Sequence, residues 1–137
     1  MTTALSSTIA VATRNYTLYD TGDVAGVDEV FASDLIDHNP VAGIASGIEG
    51  KRFLIGEVRD GFTGTRHEIV FQQELPDGWV VSHWRMTATH TGDAFGLSAS
   101  GRPISLTGTD IVRVLDGRIT EIYHVEDLLQ LQWQLTR

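Results

Sequence analysis

The sequence predicts an α+β fold, with N-terminal helices packed on one face of a curved antiparallel sheet. Three observations predict it. Apolar residues recur every three or four positions up to about residue 62, and every second position after residue 65. The helical segments come first and the strands follow, instead of alternating. The 137 residues, 42% hydrophobic and 20% charged, suffice for a single domain (1–137) with a sizeable core.

Taken in order, Ser6 or Ser7 caps a first helix on which Ile9, Ala12, Tyr16 and Tyr19 recur at helical spacing. Thr21-Gly22 stops it. Asp23 caps a second, short helix with Val24, Val27 and Phe31 on one face. Residues 32–47 read as an irregular segment around Asp37-His38-Asn39-Pro40. A third helix starts near Ile48, carries Leu54, Val58 and Phe62 four apart, and stops at Gly61. Residues 67–75 then form a strand, Pro76-Asp77-Gly78 turns the chain, and 79–90 return as a long strand. A glycine-containing loop, TGDAFGLSASGRP, leads to a hairpin at 104–126. The closing LLQLQWQL forms a last helical turn. One face of such a sheet, lidded by helices, makes a natural pocket.

Composition excludes several functions. The net charge of −8 argues against nucleic acid and against an anionic membrane surface, both of which need clustered Lys and Arg. Lys51 is the one lysine among ten basic residues. With no cysteine there is no disulfide, thiolate metal site or Cys nucleophile. The opening MTTALSSTIAVATRNY lacks a basic stretch followed by a long apolar one, so no leader and a cytoplasmic location are expected. Asn15-Tyr16-Thr17 matches a glycosylation sequon, which without secretion is chance.

The hairpin raises the chemistry. A two-residue loop, Asp116-Gly117, would set Asp110 with Glu121 and Tyr123 on one face. A three-residue loop, Leu115-Asp116-Gly117, would set Asp110, Val112 and Val114 with Thr120, Ile122 and His124, and would separate apolar from charged residues better. The three-residue loop is preferred. Asp110 and His124 then share an apolar face within hydrogen-bond reach. Such a pair can move protons: Asp110 would orient the imidazole and raise its pKa while burial lowers it. The same pair could be an ordinary buried hydrogen bond that fixes the hairpin.

Other candidates surround it. His90 follows the apolar parity of Trp84, Met86 and Ala88, and either faces the same cavity or is a satisfied strand-end histidine. Tyr19 aims from the first helix or is a core aromatic. Asp37-His38-Asn39-Pro40, with His38 and Asn39 as its candidate binding residues, lines a cavity mouth or makes an Asx-type turn before proline. His83, Arg85, Thr87 and Thr89 form a polar stripe that is solvated or an oligomer interface. Ala45–Arg52 resembles a Walker loop without its first Gly and its following Ser/Thr. The histidines show no tight ligand spacing. No metal, nucleotide or flavin cofactor is expected.

The whole chain, roughly 8–135, resembles the SnoaL-like polyketide cyclases of the NTF2-like superfamily. The residues that carry the resemblance are Tyr19–Asp23, Asp37–Pro40, Val58–Phe62, Thr89–Gly92, Thr107–Ile119 and Glu121–Leu128, then Gln134-Leu135. The resemblance implies an NTF2-like (cystatin-like) cone around a deep apolar cavity, usually as a homodimer or homotetramer. It implies intramolecular aldol ring closure without cofactor or metal. A carboxylate on the last strand is acid/base there, with a His on the neighbouring strand. In this sequence the two types are exchanged: His124 stands at the carboxylate position and Asp110 at the His position. His90 falls on another cavity His, and Tyr19 on an aromatic position of the first helix.

The expectation is therefore a cofactor-free enzyme acting on a polycyclic or polyketide-like small molecule. His124 is its base, Asp110 supports His124, and His90 or Tyr19 stabilises the alkoxide. His38, Asn39, Leu54, Phe62, Trp84, Val112 and Ile122 line the substrate. The rivals are a hydroxylase or isomerase on a similar substrate, and a non-catalytic binding or dimerisation module.

Overall fold

A computed structural model describes residues 6–137. Met1–Leu5, the start of both the leader reading and the 1–137 domain, lie outside the described residues. The chain runs α1 (Ser7–Thr21), α2 (Val27–Val30), β1 (Phe31–Asp37), α3 (Ile48–Gly61), β2 (Phe62–Glu74), a 3-10 turn (Pro76–Gly78), β3 (Trp79–His90), β4 (Pro103–Leu115), β5 (Arg118–Glu126) and α4 (Leu128–Leu135). The five strands form one sheet in the order β1-β5-β4-β3-β2. The β1–β5 pair is parallel and the others antiparallel. Helices covering one face of this sheet give the expected α+β, NTF2-like architecture, although the parallel β1–β5 pair makes the sheet mixed and not antiparallel as expected.

Local chemistry sets the boundaries. Ser6 Oγ accepts the Ile9 amide at 3.0 Å and starts α1. Gly22, in the left-handed region at φ 68°, ends it. Asp23 accepts the Gly26 amide at 2.9 Å and closes a turn, which leaves α2 only four residues. On α3 the buried line is Lys51, Ile55 and Val58, not the expected Leu54, Val58 and Phe62. Phe62 has left the helix and opens β2, so that strand begins five residues before the expected 67. The segment read as irregular holds β1. Its pairing with β5 shifts between Phe31 and Ile36, which broke the alternation that would have marked a strand.

The hairpin corrects the expected loop and keeps the expected face. Leu115 pairs with Arg118, so the loop is the two residues Asp116-Gly117, at φ 52° and 77°. Val114 pairs with Ile119 but Arg113 with Glu121, so Thr120 is the extra residue of a bulge. The bulge supplies the offset that the shorter loop lacks. Beyond it Val112 faces Ile122, and Asp110 faces His124 directly.

The covered face carries two apolar clusters. One joins Val27, Val30, Phe31, Ile55, Val80, Val112, Ile119 and Ile122. The other joins Phe62, Val58, Trp84, Met86, Leu106, Leu131 and Leu135. Complete burial of each such side chain stabilises by about 1.5–3 kcal/mol. Asp110 lies on β4 between Val112 of the first cluster and Leu106 of the second.

Candidate active site

Asp110 is 5% exposed. Its Oδ2 accepts the Tyr16 hydroxyl at 2.6 Å and the Trp84 indole N–H at 3.0 Å. Trp84 reaches it because Gly108 has no side chain: a Cβ there would collide with the indole ring. Oδ1 has no hydrogen bond among the described residues. Burial raises the Asp110 pKa, against the Lys51 charge and the Tyr16 hydrogen bond, which favour the carboxylate. Burial and the Asp110 charge also push the Tyr16 phenol well above its ordinary range, so Tyr16 stays a donor.

His124 is 6% exposed and does not bond Asp110, although the two stand opposite. Its Nδ1 lies 2.6 Å from Glu126 Oε1, and its Nε2 lies 2.9 and 3.1 Å from the two oxygens of Asp37. Burial opposes the imidazolium. The hydrogen bond and charge of Glu126, together with Asp37, outweigh burial and raise the pKa. Both nitrogens face carboxylate oxygens, so these contacts favour the ring that donates from both, which has no lone pair left to take a proton. Asn39 holds this residue by its backbone. Its Oδ1 accepts the His124 amide at 3.0 Å, its Nδ2 donates to the His124 carbonyl, and its own amide donates to Asp37 Oδ1 at 3.0 Å.

Lys51 is the third charged group, only 6% exposed, on the first turn of α3. Its Nζ lies 5.4 Å from the centre of the Phe31 ring and 5.9 Å from that of Tyr19. Burial disfavours the ammonium, but Tyr19, Asp110, Asp37 and Glu126 together keep its pKa raised. Burial raises the pKa of the Tyr19 hydroxyl, with Lys51 opposing. Donor atoms of Asp110, His124 and Glu126 lie within 4.8 Å of one another. A metal ion could use them only after His124 released Glu126 and in competition with Lys51.

The structure brings Asp110, His124, Trp84, Asn39, Tyr19, Val112 and Ile122 around this cluster. Val112 and Ile122 pair immediately beside the Asp110–His124 rung. It does not bring in the others. His90 is fully buried and tilted against Phe62 at 5.2 Å. Ser82, not His90, is level with Asp110, and from Ser82 to His90 the strand runs roughly 26 Å at about 3.3 Å per residue. Phe62 shares that distant end, so neither reaches the acid–base groups. His38 stacks on Tyr123 at 4.2 Å and lies 3.1 Å from Glu121, on the face turned away from the helices. Leu54 stays half-buried beside the buried line of α3. Two surface concavities lie elsewhere. One, of about 620 Å³, is lined by Leu129, Trp133 and Thr136, and one, of about 380 Å³, by Arg66, His67 and Arg85.

Sequence reasoning passed over Lys51, Tyr16 and Glu126 as site residues, and placed Asp37 only in a polar loop at a cavity mouth. Alternation could have found Glu126, two residues beyond His124 on one strand. Lys51 sits four and seven residues before Ile55 and Val58, on the buried stripe of its helix.

The fold of the chain is shared with several solved structures. The chain is similar to TsrD from Streptomyces laurentii, with a TM-score of 0.84, 24% identity and coverage of 98% of both chains. It is similar to a Bacillus cereus protein assigned as a polyketide cyclase, with a TM-score of 0.82, 29% identity and coverage of 94% of this chain and 80% of that one. It is also similar to AclR from Streptomyces galilaeus, assigned as a hydroxylase, with a TM-score of 0.80, 19% identity and coverage of 96% and 82%. A search of curated proteins gave no match. No described helix is long and apolar enough to cross a membrane. The profile of the SnoaL-like polyketide cyclases matches residues 9–135, and the chain belongs to that family.

Proposed function

We propose that the protein closes a ring in a polycyclic or polyketide-like substrate by intramolecular aldol chemistry, with Asp110 as the acid/base. One observation carries this reading. Of the two facing titratable groups, only Asp110 keeps an oxygen free of hydrogen bonds, while both nitrogens of His124 are taken by carboxylates. The roles expected for the pair are therefore interchanged. Asp110 Oδ1 takes a proton from a carbon flanked by carbonyls. The electron pair left on that carbon forms a bond to an internal carbonyl carbon, whose C=O π bond opens to an alkoxide. The Asp110 carboxyl returns its proton to that oxygen. Substrate and product are isomers, so the step needs no co-reactant. A carboxylate whose pKa is raised by burial is the stronger base, and the buried cluster keeps water from the enolate. The imidazolium of His124 offsets the charge at Asp110 from across the rung.

The test is deuterium uptake at the acidic methylene of a cyclic 1,3-diketone in D2O, followed by NMR. Wild type should catalyse exchange, and Asp110→Asn should lower its rate about 10²–10⁴-fold. Unchanged exchange in Asp110→Asn would remove the base from this residue. Oxygen consumption in step with turnover would instead favour a hydroxylase, the activity assigned to the Streptomyces galilaeus neighbour.

A further inference from the structure

We propose that the Lys51 ammonium is the oxyanion-binding catalytic group of this site, and that its ligand is the anionic oxygen of an enolate or phenolate. The proposal rests on the acid–base reading above and says where the charge removed by Asp110 comes to lie.

The geometry sets Lys51 apart from the chain's other cations. Arg52, the next residue, spends its guanidinium on Asp28 at 2.6 Å and Glu49 at 3.0 Å, on the surface. Lys51 is nine-tenths buried, yet it makes no salt bridge among the described residues, and the Tyr19 hydroxyl beside it takes at most one of its three donors. A buried ammonium with most of its donors unspent is costly. The carboxylates nearby have other duties: Asp37 and Glu126 hold the two nitrogens of His124, and Asp110 accepts from Tyr16 and Trp84. Phe31 and Tyr19 present their rings to Nζ at 5.4 and 5.9 Å. Ring faces favour a cation without consuming its N–H donors. At least two donors of Lys51 thus remain available to an acceptor that arrives with the substrate. A group fixed in place before charge develops, in a poorly hydrated site, is the arrangement that stabilises an oxyanion most. When Asp110 takes the α-proton, the carbonyl oxygen gains the charge and accepts a hydrogen bond from Nζ. The ligand class that fits is planar and conjugated, with one acidic oxygen or carbon acid: a 1,3-dicarbonyl as substrate, or a phenol as product.

Because Lys51 is the only lysine, carbon-13 lysine labelling gives one Cε signal from the unaltered protein. The probes are 4-nitrophenol and its neutral counterpart 4-nitroanisole, at a pH below the phenol's solution pKa. On wild type, nitrophenol should bind as its coloured anion and move the Lys51 signal, whereas nitroanisole should leave it in place. Lys51→Met should bind nitrophenol at least tenfold more weakly and leave it neutral, and Lys51→Arg should restore part of the ionisation. Asp110→Asn should bind the phenolate more tightly, having lost a competing anion, while losing deuterium exchange. Three results would overturn the proposal: undiminished phenolate binding by Lys51→Met, equal movement of the Lys51 signal by both probes, or no binding of either probe by wild type. If Lys51→Met does not fold, the labelled wild type still decides. Lys51-dependent phenolate binding with exchange untouched in Asp110→Asn would sink the acid–base reading alone. Asp110-dependent exchange without phenolate binding would sink this one alone.

Discussion

Two buried histidines stand near opposite ends of the covered face of the sheet, and their surroundings differ in kind. His124 has a carboxylate on each nitrogen, a lysine and an aspartate nearby, and its backbone held by Asn39. His90 has Ser100 on Nδ1 at 2.9 Å, an apolar ring beside it, and no partner for Nε2. Burial and strand parity are the same for both. The number of charges around each ring separates them, and only the histidine among several charges lies in a cluster equipped for proton chemistry.

The largest effect that would sharpen this contrast is on stability. His124→Ala should cost about 3–5 kcal/mol in urea unfolding, because Asp37 and Glu126 lose their shared counter-charge inside the protein. A cost below 1 kcal/mol would show that the two carboxylates do not depend on the imidazolium.

A smaller effect follows from titration. The groups facing His124 are Asp37, Glu126, Asp110 and Lys51, and the balance raises its pKa above 6.5. A histidine whose pKa is higher folded than unfolded adds stability that is complete below the unfolded value. That stability is lost as pH rises through the folded value, at up to about 1.4 kcal/mol for each pH unit crossed. Unfolding free energy should therefore fall with rising pH just above 6.5, and the fall should vanish in His124→Gln. Asp110, whose pKa is also raised, gives the same sign in a window that opens at 3.8. Repeating the titration in Asp110→Asn isolates the histidine. Next in size is Asn39→Ala, which should cost about 1–2 kcal/mol through the lost strand-like clamp on His124.

How far the sequence could be read depends on the range of the interaction. The helix cap at Ser6, the stop at Gly22 and the hairpin face were legible because each is decided by a few neighbouring residues. Even there, the hairpin reached its face through a bulge at Thr120 that no spacing announces. β1 was not legible, since it pairs in parallel with a strand more than eighty residues on and its alternation is broken. That omission hid the site's logic. Without β1 beside β5, Asp37 has no route to His124, and Asp110 is the nearest cross-strand carboxylate left to offer it. Parity placed Asp110 and His124 together correctly, but a shared face does not say which groups bond. Parity also put His90 on the right face while saying nothing of its distance along the strand.

The smallest effect is the one that would break the comparison. His90→Leu keeps roughly the volume of the ring and removes two things that nearly cancel. The lost contacts of Nδ1 with the Ser100 hydroxyl and amide cost about 0.5–1.5 kcal/mol each, and the unpartnered Nε2 donor it removes was itself a penalty of about 1–3 kcal/mol. Unfolding free energy should change by less than about 1 kcal/mol, and deuterium exchange of the 1,3-diketone should continue at the wild-type rate. A loss of exchange comparable with that of Asp110→Asn would mean that the two ends of the face act as one site. The difference in charge around the two histidines would then no longer mark which of them takes part.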